Sequence, residues 1–462
     1  MNSNTRKTAG VDLQERKRWA VIGGGMLGMT LAHRLAQRGE DVTLVEAGKH
    51  LGGLASAWTI GNISWDRYYH VILMSDTHLR VLLSELGLEK EIHWVNTRTG
   101  FYTGGKLHSM SNTVEFLRFP PLHLFDKLRL GVTIAYASKI KNWQKLERVP
   151  VSEWLTRLSG RRTFEKIWLP LLRAKLGETY QKASAAFIWA IIARMYAARR
   201  TGLKKEMFGY VRGGYARILE RFAKVLASEN VRIETGNAVT NLAPGFDAQV
   251  SVTFENGRRE LFDQVVLTAP APVVPRLCPQ LSESEKQRLN SIQYLGIICA
   301  SVLLKKPLAD YYVTNITDFG LPFTAVIEMS ALVKREQFGG NALVYLPKYL
   351  PPDDPAFSLS DDEITNQFLR GLESMYPHFN RDQVLGFRIS RARHVFALST
   401  LNYSQNLPPK QTSIPGLHIV NSAHIVNGTL NVNETVQLAE RAVASMLKNH
   451  QAQAPRAAEA VY

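Results

Sequence analysis

Cysteine is scarce in this chain. Cys278 and Cys299 are its two, both in apolar surroundings. Neither falls in a metal-binding spacing and the histidines are scattered, so no metal site is expected. Both thiols read as small buried hydrophobes in a reducing compartment. Long hydrophobic runs are missing as well. The longest apolar stretch, Ala183 to Ala198, is too short to span a bilayer and is interrupted by Arg194. Met1 to Arg18 is polar and lacks the apolar centre of a signal peptide, so residues 1–17 read as a flexible arm and residues 451–462 as a loose tail. The expected place is cytoplasmic, free or peripheral to a membrane. Repeats and low-complexity segments are also missing, which excludes solenoids and fibrous arrays.

Acid is in short supply relative to base. There are 40 Asp and Glu against 56 Lys and Arg, a formal net charge of +16. Such a balance suits an anionic partner. No nucleic-acid-binding motif accompanies it, so no nucleic acid is expected, and anionic membrane or a phosphorylated ligand ranks ahead. Pairs such as Arg161-Arg162, Arg199-Arg200 and Lys204-Lys205 supply much of the excess. A solvated surface explains them equally well.

What is present is an ordinary globular balance, 45% hydrophobic and 21% charged, in a chain long enough for two domains. Trp19 to Ile22 is an apolar run that stops at glycines, as a buried parallel strand does. Met26 to Arg38 carries Leu27, Leu31, Ala32 and Leu35 on one helical stripe, and Gly39 ends it. Val42 to Val45 follows as a strand closing on Glu46. This is a βαβ unit. Thr77 to Leu86 reads as a helix, and Val114 to Arg221 as mostly helical. Strands are expected at Val231–Ile233, Ala248–Phe254 and Asp263–Thr268, with a hairpin turn at Glu255–Arg258. Further strands are expected at Ile297–Leu304, Phe323–Met329, Leu343–Leu346 and Leu417–Val420. Helices are expected at Asp361–Met375 and Glu434–Lys448.

Between the first strand and helix, Gly23-Gly24-Gly25-Met26-Leu27-Gly28 supplies Gly-x-Gly-x-x-Gly. Gly23 permits the tight turn, Gly25 lets the backbone approach a pyrophosphate, and Gly28 lets the helix lie close on the sheet. The N–H groups at the helix start, around Met26 and Leu27, then face phosphate charge. Glu46, with Ala47 beside it, stands at the end of the second strand, where an acid hydrogen-bonds adenosine ribose hydroxyls and disfavours a 2′-phosphate.

The longer pattern, from Gly23 through Ala32, Leu35, Gly39, Val42, Leu44 and Glu46 to the doublet Gly52-Gly53, resembles the signature of the amine oxidase, protoporphyrinogen oxidase and phytoene desaturase superfamily. The resemblance implies FAD as the cofactor. It implies an α/β fold, with a Rossmann-like FAD-binding domain interleaved with a mixed α+β substrate domain. The FAD-binding part would take residues 18–100, 205–290 and 400–450, and the substrate part 100–205 and 290–400. Gly52 and Gly53 would pass beside the pyrophosphate and ribityl chain, with Leu54 and Ala55 on the flavin side. Asp263 to Pro270 is similar to the strand that returns to the FAD domain, bringing Thr268 and Ala269, and Val239 matches an adenine contact. Pro415 to Ala423 resembles the last FAD strand. The family usually has Gly-Asp where this chain has Asn421-Ser422, so the ribityl contact falls to Asn421. Asn433, Glu434 and Thr435 would open the last helix, facing the flavin ring.

Hydride transfer to a flavin needs orientation and a dry pocket rather than a nucleophile, and the chain shows no triad. His70, soon after the glycine doublet, is a candidate acid, base or orienting group, or else a packed structural histidine. Glu328 interrupts an apolar run and either faces a cavity or sits on an exposed strand face. Lys305 and Lys306 read as a solvated strand end, and Arg391, Arg393 and His394 as a basic cluster that lies on the surface or meets an anionic substrate group. Phe116 to Phe125 reads as a membrane-dipping segment or a buried one. The leading expectation is a dehydrogenase or desaturase acting on a small-molecule or lipid substrate, with its electron acceptor unknown. The alternatives are a flavin-dependent sugar isomerase like UDP-galactopyranose mutase and a flavin-binding protein without turnover.

Overall fold

A computed structural model describes residues 16–198, 207–426 and 428–453. Most of both expected tails, and the pairs Arg199-Arg200 and Lys204-Lys205, lie outside the described residues.

The N-terminal βαβ unit forms as expected. Strand β1 (Arg18–Ile22) leads into helix α1 (Met26–Ala36) and then strand β2 (Asp41–Glu46). Strands β3 (Arg232–Thr235), β4 (Gln264–Leu267) and β5 (Leu417–Ile419) join them in a parallel sheet of order β3-β2-β1-β4-β5. Ala20 of β1 faces Thr43 of β2 on one side and Val265 of β4 on the other. The chain leaves β1 toward β2 while β4 flanks its other edge, so a crevice opens at the carboxyl ends of β1 and β4, where α/β sheets bind ligands.

Both faces of this sheet are covered, which is why its strands read as continuous apolar runs. On one face α1 packs with helix Gly214–Ser228 and the last helix, Val432–Gln453, through Met29, Leu31, Phe222 and Ala439. A three-stranded antiparallel sheet, 239–244, 250–254 and 259–262, covers the other face through Leu242, Phe254 and Phe262. The hairpin expected at Glu255–Arg258 joins two of its strands, with Gly257 at φ +83°.

A second, seven-stranded mixed sheet lies beside the first unit. Its strand Tyr294–Leu304 is buried along its whole length. Ile298, Ala300 and Val302 face helix Asp361–Met375, while Ile297, Cys299 and Leu303 face Trp65, Tyr68 and Tyr345. The two-residue alternation thus serves two cores rather than one core and solvent. Cys278 is buried too, and burial pushes its thiol up to about 12. Helices between 113 and 198 form a third layer around Trp154, Trp168 and Trp189.

The described residues of 114–221 are mostly helical, as expected, but they include the strand Met207–Val211, which pairs with Ile72–Leu73 and Ile92–Asn96. Val384–Ala397 is a strand that was not expected. Its four arginine and histidine positions break the apolar alternation by which a half-buried strand is recognised.

Candidate active site

The glycine motif is built from backbone packed on backbone. Gly23 sits at φ +111°, and an added Cβ there would overlap Thr268 Oγ1. That hydroxyl donates to Ile22 O at 2.8 Å, tying the ends of β1 and β4 together. A Cβ on Gly28 would overlap the Gly23 carbonyl oxygen, so α1 lies as close to the turn as a chain can come. Gly52, at φ +117°, donates its N–H to Gly24 O at 2.8 Å, and its own Cβ would meet Leu219 at 2.5 Å. The doublet therefore docks on the first loop, and Gly25 and Gly53 face each other with no side chain between them. The first α1 residue to donate to Gly25 O is Met29, at 2.9 Å. The helix start at Gly25, Met26 and Leu27 opens instead on a cavity of about 550 Å³.

Glu46 and Ala47 stand at one end of this cavity, with Val239 close by. The two Glu46 oxygens accept the N–H groups of Gly24 and Gly48, each at 2.7 Å. A carboxylate so held keeps lone pairs for vicinal hydroxyls. Thr268 and Ala269 wall the middle, opposite Gly52, Gly53, Leu54 and Ala55. The donor set suits a dinucleotide: bare backbone at a helix start for phosphate, an acid for ribose, and a glycine cradle that a Cβ would fill. These residues fit FAD.

The far end is formed by His70, His394, Val395, Ile425 and Leu430, and by one side of the last helix. His70 Nδ1 is 3.1 Å from Tyr68 O. A carbonyl only accepts, so Nδ1 carries the proton and Nε2 is left as the acceptor. Burial lowers the histidine to about 4, although part of its ring reaches the cavity, so it is neutral at ordinary pH. Its ring lies 4.9 Å from that of Tyr215. Asp66 in turn holds the Tyr215 N–H at 2.8 Å, at the start of helix Gly214–Ser228. His70 is thus set in a packed frame. Among the described residues lining the cavity there is no lysine or arginine.

Several expected site residues stand elsewhere. Asn421 is 1% exposed and does not line the cavity. Its Nδ2 donates to Ala269 O at 2.9 Å and its Oδ1 accepts from Ala423 N at 3.1 Å, so it bridges the segments following β4 and β5. The neighbouring Ser422 lines the cavity in its place. Asn433 and Glu434 are likewise displaced. Helical periodicity puts Asn431, Val432, Thr435 and Leu438 on the cavity side. Asn433 Oδ1 accepts from Leu79 N at 3.1 Å. Asn431, which the sequence did not single out, caps the helix by accepting the Glu434 N–H at 3.0 Å.

Glu328 is 2% exposed, on neither a cavity wall nor an exposed face. It accepts from the N–H groups of Leu308 at 3.2 Å and Ala309 at 2.8 Å, and so fastens the loop after strand Tyr294–Leu304. Burial pushes it up to about 7 against the pull of those donors. Lys305 and Lys306 are exposed. Arg391 pairs with Asp361 and Arg393 bonds Pro352 O, whereas His394 turns into the cavity. The sequence favoured a surface role for His394 over a substrate contact; the strand Val384–Ala397 that carries it was not expected, so the face it turns could not be read. Among the described residues no cluster suited to a metal ion is found.

Comparison with known proteins agrees with this geometry. The family described as flavin containing amine oxidoreductase matches residues 27–447. The zeta-carotene desaturase of Synechocystis sp. is 22% identical over 413 residues, covering 78% of this chain and 83% of the relative. The coproporphyrinogen III oxidase of Mycobacterium tuberculosis (strain ATCC 25618 / H37Rv) is 25% identical over 368 residues, covering 75% and 79%. In fold, the chain is similar to an oxidoreductase from Methanosarcina mazei, with a TM-score of 0.70 at 17% identity, covering 93% of this chain and all of that one. It is also similar to reduced UDP-galactopyranose mutase, with a TM-score of 0.72 at 15% identity, covering 94% and 96%. With the glycine cradle, the acid at the end of β2 and a match running almost end to end, the chain belongs to the flavin-containing amine oxidoreductase family.

Proposed function

We propose that this flavoenzyme is a dehydrogenase or desaturase that oxidises an uncharged, lipophilic substrate. The observation that carries the reading is the composition of the far end of the cavity. Leu54, Val395, Ile425 and Leu430 form an apolar wall there, interrupted by neutral His70, by His394 and by the uncharged Asn431 and Thr435, and no described lining residue is a lysine or arginine. A hydrocarbon meets such a wall without leaving charge unpaired, whereas a diphosphate or a carboxylate-rich ring system would lack a cationic partner. The names of two relatives, a carotene desaturase and a coproporphyrinogen oxidase, frame that choice, and the wall favours the polyene class.

FAD, when bound, supplies the hydride acceptor. The chain's own groups hold it by backbone at the pyrophosphate and by Glu46 at the ribose. They keep the reacting end dry with aliphatic side chains, and they offer the His70 ring as a proton acceptor or an orienting contact.

The test is anaerobic reduction of the purified, flavin-loaded protein. An isoprenoid polyene in detergent is expected to bleach the visible flavin absorption, while coproporphyrinogen III leaves it unchanged. Reduction by the porphyrinogen and not by the polyene would overturn the substrate class. If neither donor reduces the flavin and a UDP-sugar perturbs the spectrum of the reduced protein, isomerase chemistry takes its place. Flavin that no donor reduces and no sugar perturbs would leave a binding protein without turnover.

A further inference from the structure

Helix Leu124–Ala137 is amphipathic in the wrong direction for a solvated surface. Its inward face carries Lys127, Leu130, Thr133 and Ala137, and the buried Lys127 Nζ donates to Leu117 O at 2.7 Å. Its outward stripe, at intervals of four, is Leu124, Leu128, Val132 and Tyr136, with Phe125 beside it. Phe125 is 72% exposed and Val132 68%. Val114 and Leu117, from the preceding short helix, are exposed as well. Seven of the thirteen exposed large hydrophobic side chains of the described residues thus fall between 114 and 136. Scattered single exposures are ordinary; a concentration of this kind marks a contact surface.

The charge around the stripe selects the partner. Arg118 at one end and Lys139, Lys141, Lys145 and Arg148 at the other are all exposed. The three acids of the same segment are turned to internal partners. Glu115 accepts from Ser109 Oγ and Ser111 N, Asp126 pairs with Arg162, and the buried Glu147 accepts from Ser404. An apolar stripe about 20 Å long, lying flat and edged by unopposed cations, matches the boundary between anionic headgroups and acyl chains. A second copy of the chain would bring the same cations against these and be repelled.

We infer that helix Leu124–Ala137, with Val114 and Leu117, docks the protein on an anionic membrane surface, with Leu124, Phe125, Leu128 and Val132 entering the acyl boundary. The sequence offered 116–125 as such a segment or as a buried one. The structure moves it, because Phe119 and Leu122 are buried and the outward side chains lie mostly beyond that range. Among the described residues no helix is long and apolar enough to cross a membrane, so the contact is along the surface. The inference stands apart from the substrate reading, since docking requires no turnover.

Co-sedimentation of the flavin-loaded full chain with phosphatidylcholine vesicles, with and without phosphatidylglycerol, tests it. Binding is expected to the anionic vesicles and to weaken with added salt. The double variant Phe125→Ser, Val132→Ser is expected to lose about tenfold or more in vesicle affinity while keeping its flavin. The control Phe246→Ser, Phe319→Ser removes two side chains elsewhere that are more exposed still and is expected to bind as the parent does. Parent protein that ignores anionic vesicles would overturn the inference. So would a patch variant that binds undiminished, equal binding to neutral vesicles, or self-association of the parent that the patch substitutions abolish.

Discussion

The two ends of the cavity are made of different material. At the end marked by Glu46, the surface is main chain: Gly25 and Gly53 meet without side chains, and the start of α1 opens on the space. At the end marked by His70, the surface is side chain, drawn from Leu54, His70, His394, Val395, Ile425, Leu430 and the cavity side of the last helix. Backbone recognises what every dinucleotide shares, and side chains recognise what distinguishes one substrate from another. The cofactor end is therefore dominated by the main chain of the first loop and of the glycine doublet that docks on it. Substrate choice is a property of the whole fold.

The sharpest way to break this division is at Gly28. Alanine there places a methyl on the Gly23 carbonyl, so α1 must lift from the turn. A loss of about 3 kcal/mol or more is expected. Thermal unfolding and the flavin-to-protein absorbance ratio check it. A fully loaded Gly28→Ala protein with parental stability would show that the close approach is dispensable.

Glu46→Ala tests the cofactor end with less disruption. It leaves the Gly24 and Gly48 N–H groups without their acceptor. Flavin affinity is expected to fall about tenfold to a hundredfold, from about 1.5–3 kcal/mol of lost charged hydrogen bonding, read by titrating stripped protein with FAD. Unchanged affinity would remove the acid from the site.

His70→Gln addresses the other end. Flavin content should hold while turnover falls by about a hundredfold; a loss of flavin instead would move His70 to the cofactor side. The same variant carries the smallest effect, a pH dependence. His70 and His424 are each lowered to about 4 by burial, against about 6.5 in the unfolded chain. Between these values the unfolded chain binds more protons, so stability falls as pH drops below about 6.5 and levels off below about 4. Urea midpoints at about pH 7 and about pH 5 should differ less in His70→Gln than in the parent.

The contrast also decides what the sequence could reveal. The βαβ unit, the glycine loop and Glu46 were legible because they are consecutive and each position answers to one steric demand. Asp361–Met375 was legible with Pro377 marking its end, and Ser360 and Glu363 form a capping box at its start. Asn421 was misread because its role depends on Ala269, a partner on another segment. Asn433 and Glu434 stand between the cavity-facing Val432 and Thr435, since the face the last helix turns to the cavity is set by its packing on α1 and not by its own sequence. Glu328 looked chemical because a buried acid is rare; its partners, two amides some twenty residues earlier, are visible only once the sheet is assembled.

Glu46 has a consequence for redesign. Retargeting a dinucleotide site toward a 2′-phosphate calls for a cation where the ribose-binding acid stands. Here that acid also closes the loop through Gly24 and Gly48, so Glu46→Arg would install a donor where two donors already need an acceptor. Exchanging the cofactor of this protein would mean rebuilding the turn after β2 together with the residue itself.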